Sequence, residues 1–171
     1  MKVIDPNFQT PPPVVEYMVE LVPSWAQDIL EPTPGEGNIV KQLRKKGYKV
    51  TAPKDFFKIH GTRRIWDCVV MNPPFSFHHG FGYPKDLEKY GYQLGYHILQ
   101  QCMQKTKNVI ALMPWSTIIN SQLRLNDIQR YGLKSITALP RKTFPSSRVQ
   151  TCVLEIVFGY KEPTIFKTFN F

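Results

Sequence analysis

The sequence contains few cysteines, and their arrangement excludes two common uses of this residue. Cys68, Cys102 and Cys152 are odd in number, widely spaced and set in apolar stretches. Disulfide frameworks and zinc sites instead use paired or closely spaced cysteines. We therefore expect buried thiols in a reducing, intracellular compartment.

Long hydrophobic runs are also lacking. No apolar stretch of the sequence is long enough to span a bilayer, and residues 1–5 do not read as the start of a signal peptide. We expect an intracellular protein that has no membrane partner. The sequence shows no internal repeat, and low complexity is confined to the prolines at 11–13.

Acidic residues are scarce relative to basic ones. Lys and Arg number 22 against 13 Asp and Glu, which gives a formal net charge of +9. This excess favours a polyanionic partner such as nucleic acid, and the alternative is a basic surface that binds nothing. Because the 171 residues are 42% hydrophobic, we expect one globular domain over 1–171.

The most informative stretch is a hydrophobic run that ends in Asn72-Pro73-Pro74-Phe75. Residues 67–71 are typical of a strand buried on both faces, and the two prolines make the chain leave the sheet stiffly at the strand's carboxyl end. Open α/β sheets bind their ligands there. The Asn72 side chain and the Pro73 carbonyl offer two acceptors, and Phe75 offers a flat face, which suits a planar group bearing an NH2. The alternative is a turn with Phe75 in the core.

A glycine turn follows an earlier short strand at residues 29–30. The turn, residues 31–38, contains Glu31 and Pro32, then Gly35 and Gly37, and Asn38 is placed to cap the next helix. Such a turn lets a ligand approach bare backbone at a helix N-terminus, and Glu31 could accept from an ammonium or a ribose. The lack of a third glycine argues against a dinucleotide site. An ordinary strand-to-helix turn is the alternative.

Two further stretches allow both a structural and a functional reading. Thr10 and Pro11 precede a helix whose apolar residues recur at helical spacing, so Thr10 is either a helix cap or a ligand contact. Asp55 and Phe56 follow a second strand at 48–52. They could hold an adenine, or they could be a turn aspartate and a core phenylalanine.

The second half of the chain predicts a helix over 86–107, a buried strand at 108–113, a short helix ending at Gly132, and two strands at 134–139 and 151–158. The aromatic stretch 76–85 reads either as a flap or as a loop packed on the domain. Its candidate base contacts are Phe77, Phe81 and Tyr83. His78 and His79 have no matching ligand pair, so we predict no metal site.

Taken in order, Thr10-Pro11, Glu31-Pro32, Gly35-x-Gly37, Asp55-Phe56 and Asn72-Pro73-Pro74-Phe75 resemble the γ-type S-adenosylmethionine-dependent amino-methyltransferases. These enzymes modify N6 of adenine in DNA, and the resemblance extends from Phe8 to about Phe158. It implies an α/β, Rossmann-like class I methyltransferase fold, with a mostly parallel central sheet of about seven strands and an antiparallel C-terminal strand.

The resemblance also implies roles for individual residues. S-adenosylmethionine would be held by Thr10, Pro11, Glu31, Pro32, Gly35, Gly37, Asp55, Phe56 and Asn72. The catalytic residues would be Asn72, Pro73, Pro74 and Phe75, with Asn72 and the Pro73 carbonyl on the target amine and Phe75 stacked on its base. In the connection 140–148, Phe144 would form the second wall of the base pocket, and phosphates would meet Arg141, Lys142 and Arg148.

One position departs from the family pattern. An acidic residue usually ends the second strand and binds the cofactor ribose, whereas this sequence reads Ala52-Pro53-Lys54. Either Asp55 takes over this contact or the contact is lost. The resemblance to DNA enzymes suggests a restriction-modification or phage system.

Several alternatives therefore stay open. The same chemistry could act on RNA or on a protein glutamine, and a non-catalytic nucleic-acid-binding subunit could keep this fold. DNA-specific members of the family usually carry a target-recognition domain, and from the resemblance we expect no separate one within 1–171. A homodimer or a partner subunit could supply target recognition.

Overall fold

Strands and helices alternate along most of the chain, as expected of an α/β protein. A computed structural model describes residues 9–58, 62–77, 85–145 and 147–170. The strands are β1 (Asp28–Leu30), β2 (Lys49–Thr51), β3 (Cys68–Met71), β4 (Asn108–Pro114), β5 (Leu133–Ala138), β6 (Thr151–Val157) and β7 (Ile165–Thr168). The α-helices are α1 (Pro12–Glu20), α2 (Asn38–Lys45), α3 (Leu94–Met103), α4 (Ser116–Ile119) and α5 (Gln122–Tyr131).

In the described part of the chain, seven strands form one sheet in the order β2-β1-β3-β4-β6-β5-β7. Strand β6 runs antiparallel to β4 and β5, and the other neighbouring pairs are parallel. This arrangement confirms the predicted mostly parallel sheet. Strand β1 lies between β2 and β3, so the carboxyl ends of β1 and β3 meet where such sheets bind ligands.

Both faces of the sheet are covered, as the continuous hydrophobic strands predicted. Strand β3 shows this directly, because Val69 and Met71 join one core cluster while Cys68 and Val70 join the other. Helix α3 packs on the first face, and helices α1 and α2 pack on the second.

The predicted helix over 86–107 is wrong in its first part. A 3-10 segment, Lys85–Gln93, comes first and bends at Gly91, whose φ of 45° and ψ of −121° are not helical. Helix α3 starts only at Leu94. The apolar residues of this stretch do recur at helical spacing, but such spacing cannot reveal a break in the helix backbone.

Two elements were not predicted, α4 and β7. Strand β7 pairs with β5, but its only large apolar residues are the adjacent Ile165 and Phe166, too short a run to identify a strand. The Lys167 ammonium lies 3.8 Å from the carboxylate of Glu155 on β6, which ties this edge strand to the sheet. No helix among the described residues is long and apolar enough to cross a membrane.

All three cysteines are free and buried, as predicted. Burial raises the pKa of the Cys152 thiol to about 12 and shifts Cys68 and Cys102 in the same direction. These thiols are therefore protonated at neutral pH and act as small core residues.

Candidate functional site

Asn72 follows directly after β3, and three separate segments of the chain meet around it. Its side-chain nitrogen donates to Thr10 Oγ1 at 3.0 Å, while its backbone oxygen accepts from Thr33 Oγ1 at 3.3 Å. Thr10 precedes α1 and Thr33 follows β1. The hydrogen bonds therefore join the Asn-Pro-Pro-Phe motif (residues 72–75) to the glycine turn (residues 31–38) and to the start of α1.

Glu31 lies at the carboxyl end of β1 and is only 1% exposed. Its Oε1 atom accepts from the Thr33 backbone N at 3.0 Å and from Thr33 Oγ1 at 3.4 Å. Its Oε2 atom is buried and has no hydrogen-bond partner among the residues that the structure describes. Burial raises the pKa of this carboxyl to about 8, and the two bonds from Thr33 oppose the shift.

A buried acceptor without a partner costs free energy, so it indicates a place for a donor. A ligand ammonium would donate to Glu31 Oε2 and favour the charged carboxylate. The chemistry of Glu31 therefore fits the amino group of an amino-acid-like ligand.

The glycine turn brings bare backbone to the start of α2. Gly35 and Gly37 have φ values of 50° and 82°, which a residue with a Cβ adopts only under strain. Apart from Gly37, its two neighbours in sequence and the backbone of α2, no atom of the described chain lies within 4 Å of the place that a Cβ would take on Gly37. Gly37 is also the N-cap of α2, so an anionic group can approach the helix N-terminus there.

Neither Thr10 nor Asn38 caps a helix, so the predicted cap at Asn38 is wrong and the capping alternative for Thr10 is excluded. Pro11 is the N-cap of α1 and Gly37 is the N-cap of α2. The Asn38 side-chain nitrogen donates instead to the Thr10 backbone oxygen at 3.4 Å, and the Thr10 hydroxyl accepts from Asn72. Both polar side chains thus connect loops across the site rather than closing their own helices.

The end of the Asn-Pro-Pro-Phe motif lies on the first turn of α3. Gly95 N donates to Phe75 O at 3.3 Å, and a Cβ at Gly95 would lie 3.0 Å from Pro74 O and 3.2 Å from Phe75 Cα. Pro73 is buried, while Pro74 and Phe75 are half-buried. Gly95 was not predicted to belong to the site, although a glycine inside a helical pattern was a usable signal.

Asp55 forms a local turn, which was one of the two roles predicted for it; the other was a contact with an adenine. Its Oδ1 atom accepts from Phe57 N at 3.0 Å, and Lys58 Nζ lies 4.0 Å from its Oδ2 atom. Phe56 is 3% exposed and belongs to the core. The end of β2 nevertheless adjoins Glu31, whose backbone N donates to Thr51 O at 2.9 Å.

The predicted site residues of the connection between β5 and β6 differ in their burial. Phe144 is 3% exposed and packs in the same core cluster against which Phe75 lies. Arg141, Lys142 and Arg148 are exposed. The cations can therefore meet phosphates, while Phe144 lies in the interior.

The predicted flap falls mostly outside the described residues. His78, His79, Phe81 and Tyr83 are not among them. Phe77 is described, and it packs against the core cluster on the α3 face. Its backbone N donates to Gly91 O at 2.8 Å.

No protein-family model and no curated protein matches the sequence. Solved structures match it in fold. The methyltransferase subunit of a type I restriction-modification system from Streptococcus thermophilus has a TM-score of 0.72 and 13% identity, covering 95% of this chain and 47% of that chain. A modification subunit assigned to a type I restriction enzyme of Vibrio vulnificus YJ016 has a TM-score of 0.69 and 18% identity, with coverages of 94% and 46%.

A Listeria monocytogenes protein assigned to the class I S-adenosylmethionine-dependent methyltransferases has a TM-score of 0.66 and 18% identity, covering 96% of this chain and 67% of that chain. The chain thus spans less than half of the length of the two restriction-modification subunits. It has the Rossmann-like fold of the class I methyltransferases, as the sequence predicted.

Proposed function

We propose that this chain transfers a methyl group from S-adenosylmethionine to an exocyclic amine, with N6 of adenine in DNA as the target. The junction at Asn72 carries the proposal, because it joins the glycine turn to the Asn-Pro-Pro-Phe motif at the sheet edge where ligands bind. The fold shared with proteins named as methyltransferases supports it.

The residues around the glycine turn fit the cofactor. Glu31 Oε2 would accept from the ammonium of the methionine end, and the N-terminus of α2 favours a negatively charged group. Bound S-adenosylmethionine would supply a methyl group that its sulfonium already activates. The proposed cofactor contacts at this end are Thr10, Pro11, Glu31, Pro32, Gly35 and Gly37, with Asp55 and Phe56 toward the adenosine.

The Asn-Pro-Pro-Phe motif would act on the amine. The lone pair of an adenine amine is delocalised into the ring, which makes the nitrogen a poor nucleophile. Acceptance of its two hydrogens by the Asn72 side chain and the Pro73 carbonyl favours a tetrahedral nitrogen with a localised lone pair. Because Asn72 Oδ1 is buried, the amine reaches it only after a local rearrangement.

Stacking would help to hold the target base. Extruding a base from a duplex costs a few kcal/mol, and stacking on an aromatic ring offsets about 1–3 kcal/mol. Phe75 is half-buried, so one part of its ring remains accessible. The hydrogen bond from Gly95 N to Phe75 O, at 3.3 Å, holds this end of the motif against α3.

Nucleic acid is the proposed partner because of charge. The net charge is +9, and Arg141, Lys142 and Arg148 are exposed on one connection. The fold-related type I proteins are named as subunits, one of a restriction enzyme and one of a restriction-modification system. We therefore include in the proposal a partner chain that contributes to target recognition inside the cell.

A non-catalytic binding subunit is the second candidate. Ala52-Pro53-Lys54 replaces the expected acidic end of β2. Both Asp55 carboxylate oxygens already face local partners, one on Phe57 N and one near Lys58 Nζ. These observations favour a chain that keeps the fold but binds the cofactor weakly.

Transfer of a tritiated methyl group to DNA, RNA and protein pools tests the proposal. We expect label in DNA, and Asn72→Ala should lower transfer by more than about 100-fold while the cofactor stays bound. Asn170→Ala, at an exposed position outside the site, is the matched control and should keep full activity.

Each other outcome has a distinct meaning. Label in RNA or in protein alone would replace the proposed substrate. No label in any pool would favour the binding subunit, and full activity of Asn72→Ala would reject the assigned role.

A further inference from the structure

A cavity of about 390 Å³ lies beside the Asn-Pro-Pro-Phe motif, on the side of α3, α4 and α5. This volume lies within the range of about 300–1,000 Å³ that is usual for small-molecule sites. Its deep side includes Met113 and Thr117, which are buried. The lining residues that matter here are Phe75, Tyr92, Gln93, Pro114, Asn120 and Arg124.

The exposed side of the cavity carries an aromatic ring and two amides. Tyr92 is 94% exposed, an unusual state for a large ring in a folded protein. The side chains of Gln93 and Asn120 are also exposed, and neither has a hydrogen-bond partner within the described ranges of the chain. An amide presents a donor and an acceptor together, the pair that reads the edge of a base, and an aromatic ring stacks on the base itself.

The same cavity contains a cation that the protein holds in a fixed position. Arg124 donates from Nε to Thr117 O at 3.2 Å and from one terminal nitrogen to Ser116 O at 2.9 Å. Its guanidinium lies 5.8 Å from the ring centre of Tyr96, whose hydroxyl donates to Asp127 at 3.0 Å. The remaining guanidinium N–H groups have no acceptor in the parts of the chain that the structure describes.

A guanidinium fixed in this way with free N–H groups suits a phosphate. The cavity therefore combines a stacking ring, two base-reading amides and a phosphate-binding cation. These are the three contacts that recognise a nucleotide of a strand.

We infer that this cavity binds a nucleotide adjacent to the target in the substrate strand and reads its base. The inference rests on the proposed function, because Phe75 belongs both to the cavity and to the motif that would hold the target. A strand that delivers its base to Asn72 must pass this wall. The catalytic sheet thereby acquires a sequence preference of its own, through Gln93 and Asn120.

The test measures binding rather than transfer, so its outcome does not depend on catalysis. A pool of single-stranded DNA with one fixed adenine between random flanking positions is incubated with the full chain, and the bound strands are sequenced. We expect the wild-type chain to enrich one base at a position next to the adenine by about 5- to 100-fold.

The variants separate base reading from stacking. Gln93→Ala combined with Asn120→Ala should remove the enrichment and leave most of the affinity for the whole pool. Tyr92→Ala should weaken binding of every sequence by about tenfold or more, as measured by fluorescence anisotropy. Gln129→Ala, an exposed glutamine of α5 away from the cavity, is the matched control and should change neither quantity.

The inference would be overturned if the wild-type chain bound all four bases equally at the positions next to the adenine. It would also be overturned if the enrichment persisted in the double variant. Thermal unfolding followed by circular dichroism identifies any variant that has lost its fold. If methyl transfer fails but the flanking preference is present, the proposed function is wrong and the nucleotide site stands. If methyl transfer occurs but no flanking base is preferred, the inference about this cavity is wrong and the proposed function stands.

Discussion

At the scale of single residues, Glu31 is the most unusual side chain in the site. Fully buried carboxyls are uncommon unless a partner holds their charge. Glu31 is 1% exposed, and its pKa is raised to about 8 because burial disfavours the charged form. Without a cationic ligand, the carboxyl is therefore mostly protonated at neutral pH.

The shifted pKa of Glu31 predicts a pH-dependent stability. Between pH 4.5 and about 8 the folded chain holds a proton that the unfolded chain has released, so the free energy of unfolding falls as pH rises. The contribution of Glu31 to the free energy of unfolding is fully present below pH 4.5 and is lost by about pH 8. Between these values it decreases by roughly 1.4 kcal/mol for each pH unit. Glu31→Gln should remove this part of the dependence of the unfolding free energy on pH.

Urea unfolding of the two proteins from pH 5 to pH 8 provides the measurement. Because the other titrating groups are shared, the difference between wild type and variant isolates Glu31. A difference that does not change with pH would show that the carboxyl is charged in the folded chain.

The capping interpretations of Thr10 and Asn38 fail for a common physical reason. Both residue types cap helices through local hydrogen bonds, and local sequence was all that the prediction used. In the folded chain, Asn38 donates to the Thr10 backbone and the Thr10 hydroxyl accepts from Asn72, far along the sequence. Only the meeting of three loops at one sheet edge makes those bonds available.

At the scale of elements, the contact between α3 and the Asn-Pro-Pro-Phe motif sets the position of Phe75. Gly95 permits this contact, since a Cβ would approach the Pro74 oxygen to 3.0 Å. The backbone bond from Gly95 N to Phe75 O, at 3.3 Å, holds the same two segments together. Helix and motif are therefore packed too closely for a side chain to fit between them.

Gly95→Ala tests this contact. Alanine favours the helix by up to about 1 kcal/mol, while overpacking against the motif costs about 1–3 kcal/mol. We expect a small loss of stability and a larger loss of methyl transfer, because the added methyl group displaces Pro74 and Phe75. Gly95→Ser, with one more atom, should increase both effects.

The thermal unfolding midpoint and the rate of methyl transfer are measured on the same samples of wild type and of each Gly95 variant. Equal transfer by wild type and Gly95→Ala would show that the motif tolerates displacement. A loss of transfer that only matched the loss of folded protein would contradict the positional role.

Elements were predictable where a hydrophobic pattern continued over several residues. Strand β3 was recognised because its residues are apolar on both faces, and Pro73 and Pro74 marked its end. The break at Gly91 was not recognised, since Tyr90 and Leu94 still keep helical spacing across it.

At the scale of the whole molecule, the order of strands determines where the site lies. The chain adds β2 on one side of β1 and β3 on the other, so the loops after β1 and β3 converge. The sequence motifs indicated this edge because Glu31 and Asn72 each follow a hydrophobic strand. The bonds among Thr10, Thr33 and Asn72 join segments far apart in sequence and were not predictable from it. The same holds for the burial of Phe144 and the pairing of β7 with β5.

Calorimetric titration of the chain with S-adenosylmethionine measures whether the site around Glu31 binds the cofactor. We expect one-to-one binding by the wild-type chain and by Asn72→Ala, and binding weakened by about 30-fold, or roughly 2 kcal/mol, in Glu31→Ala. Absence of binding by the wild-type chain, or equal affinity in Glu31→Ala, would contradict the account.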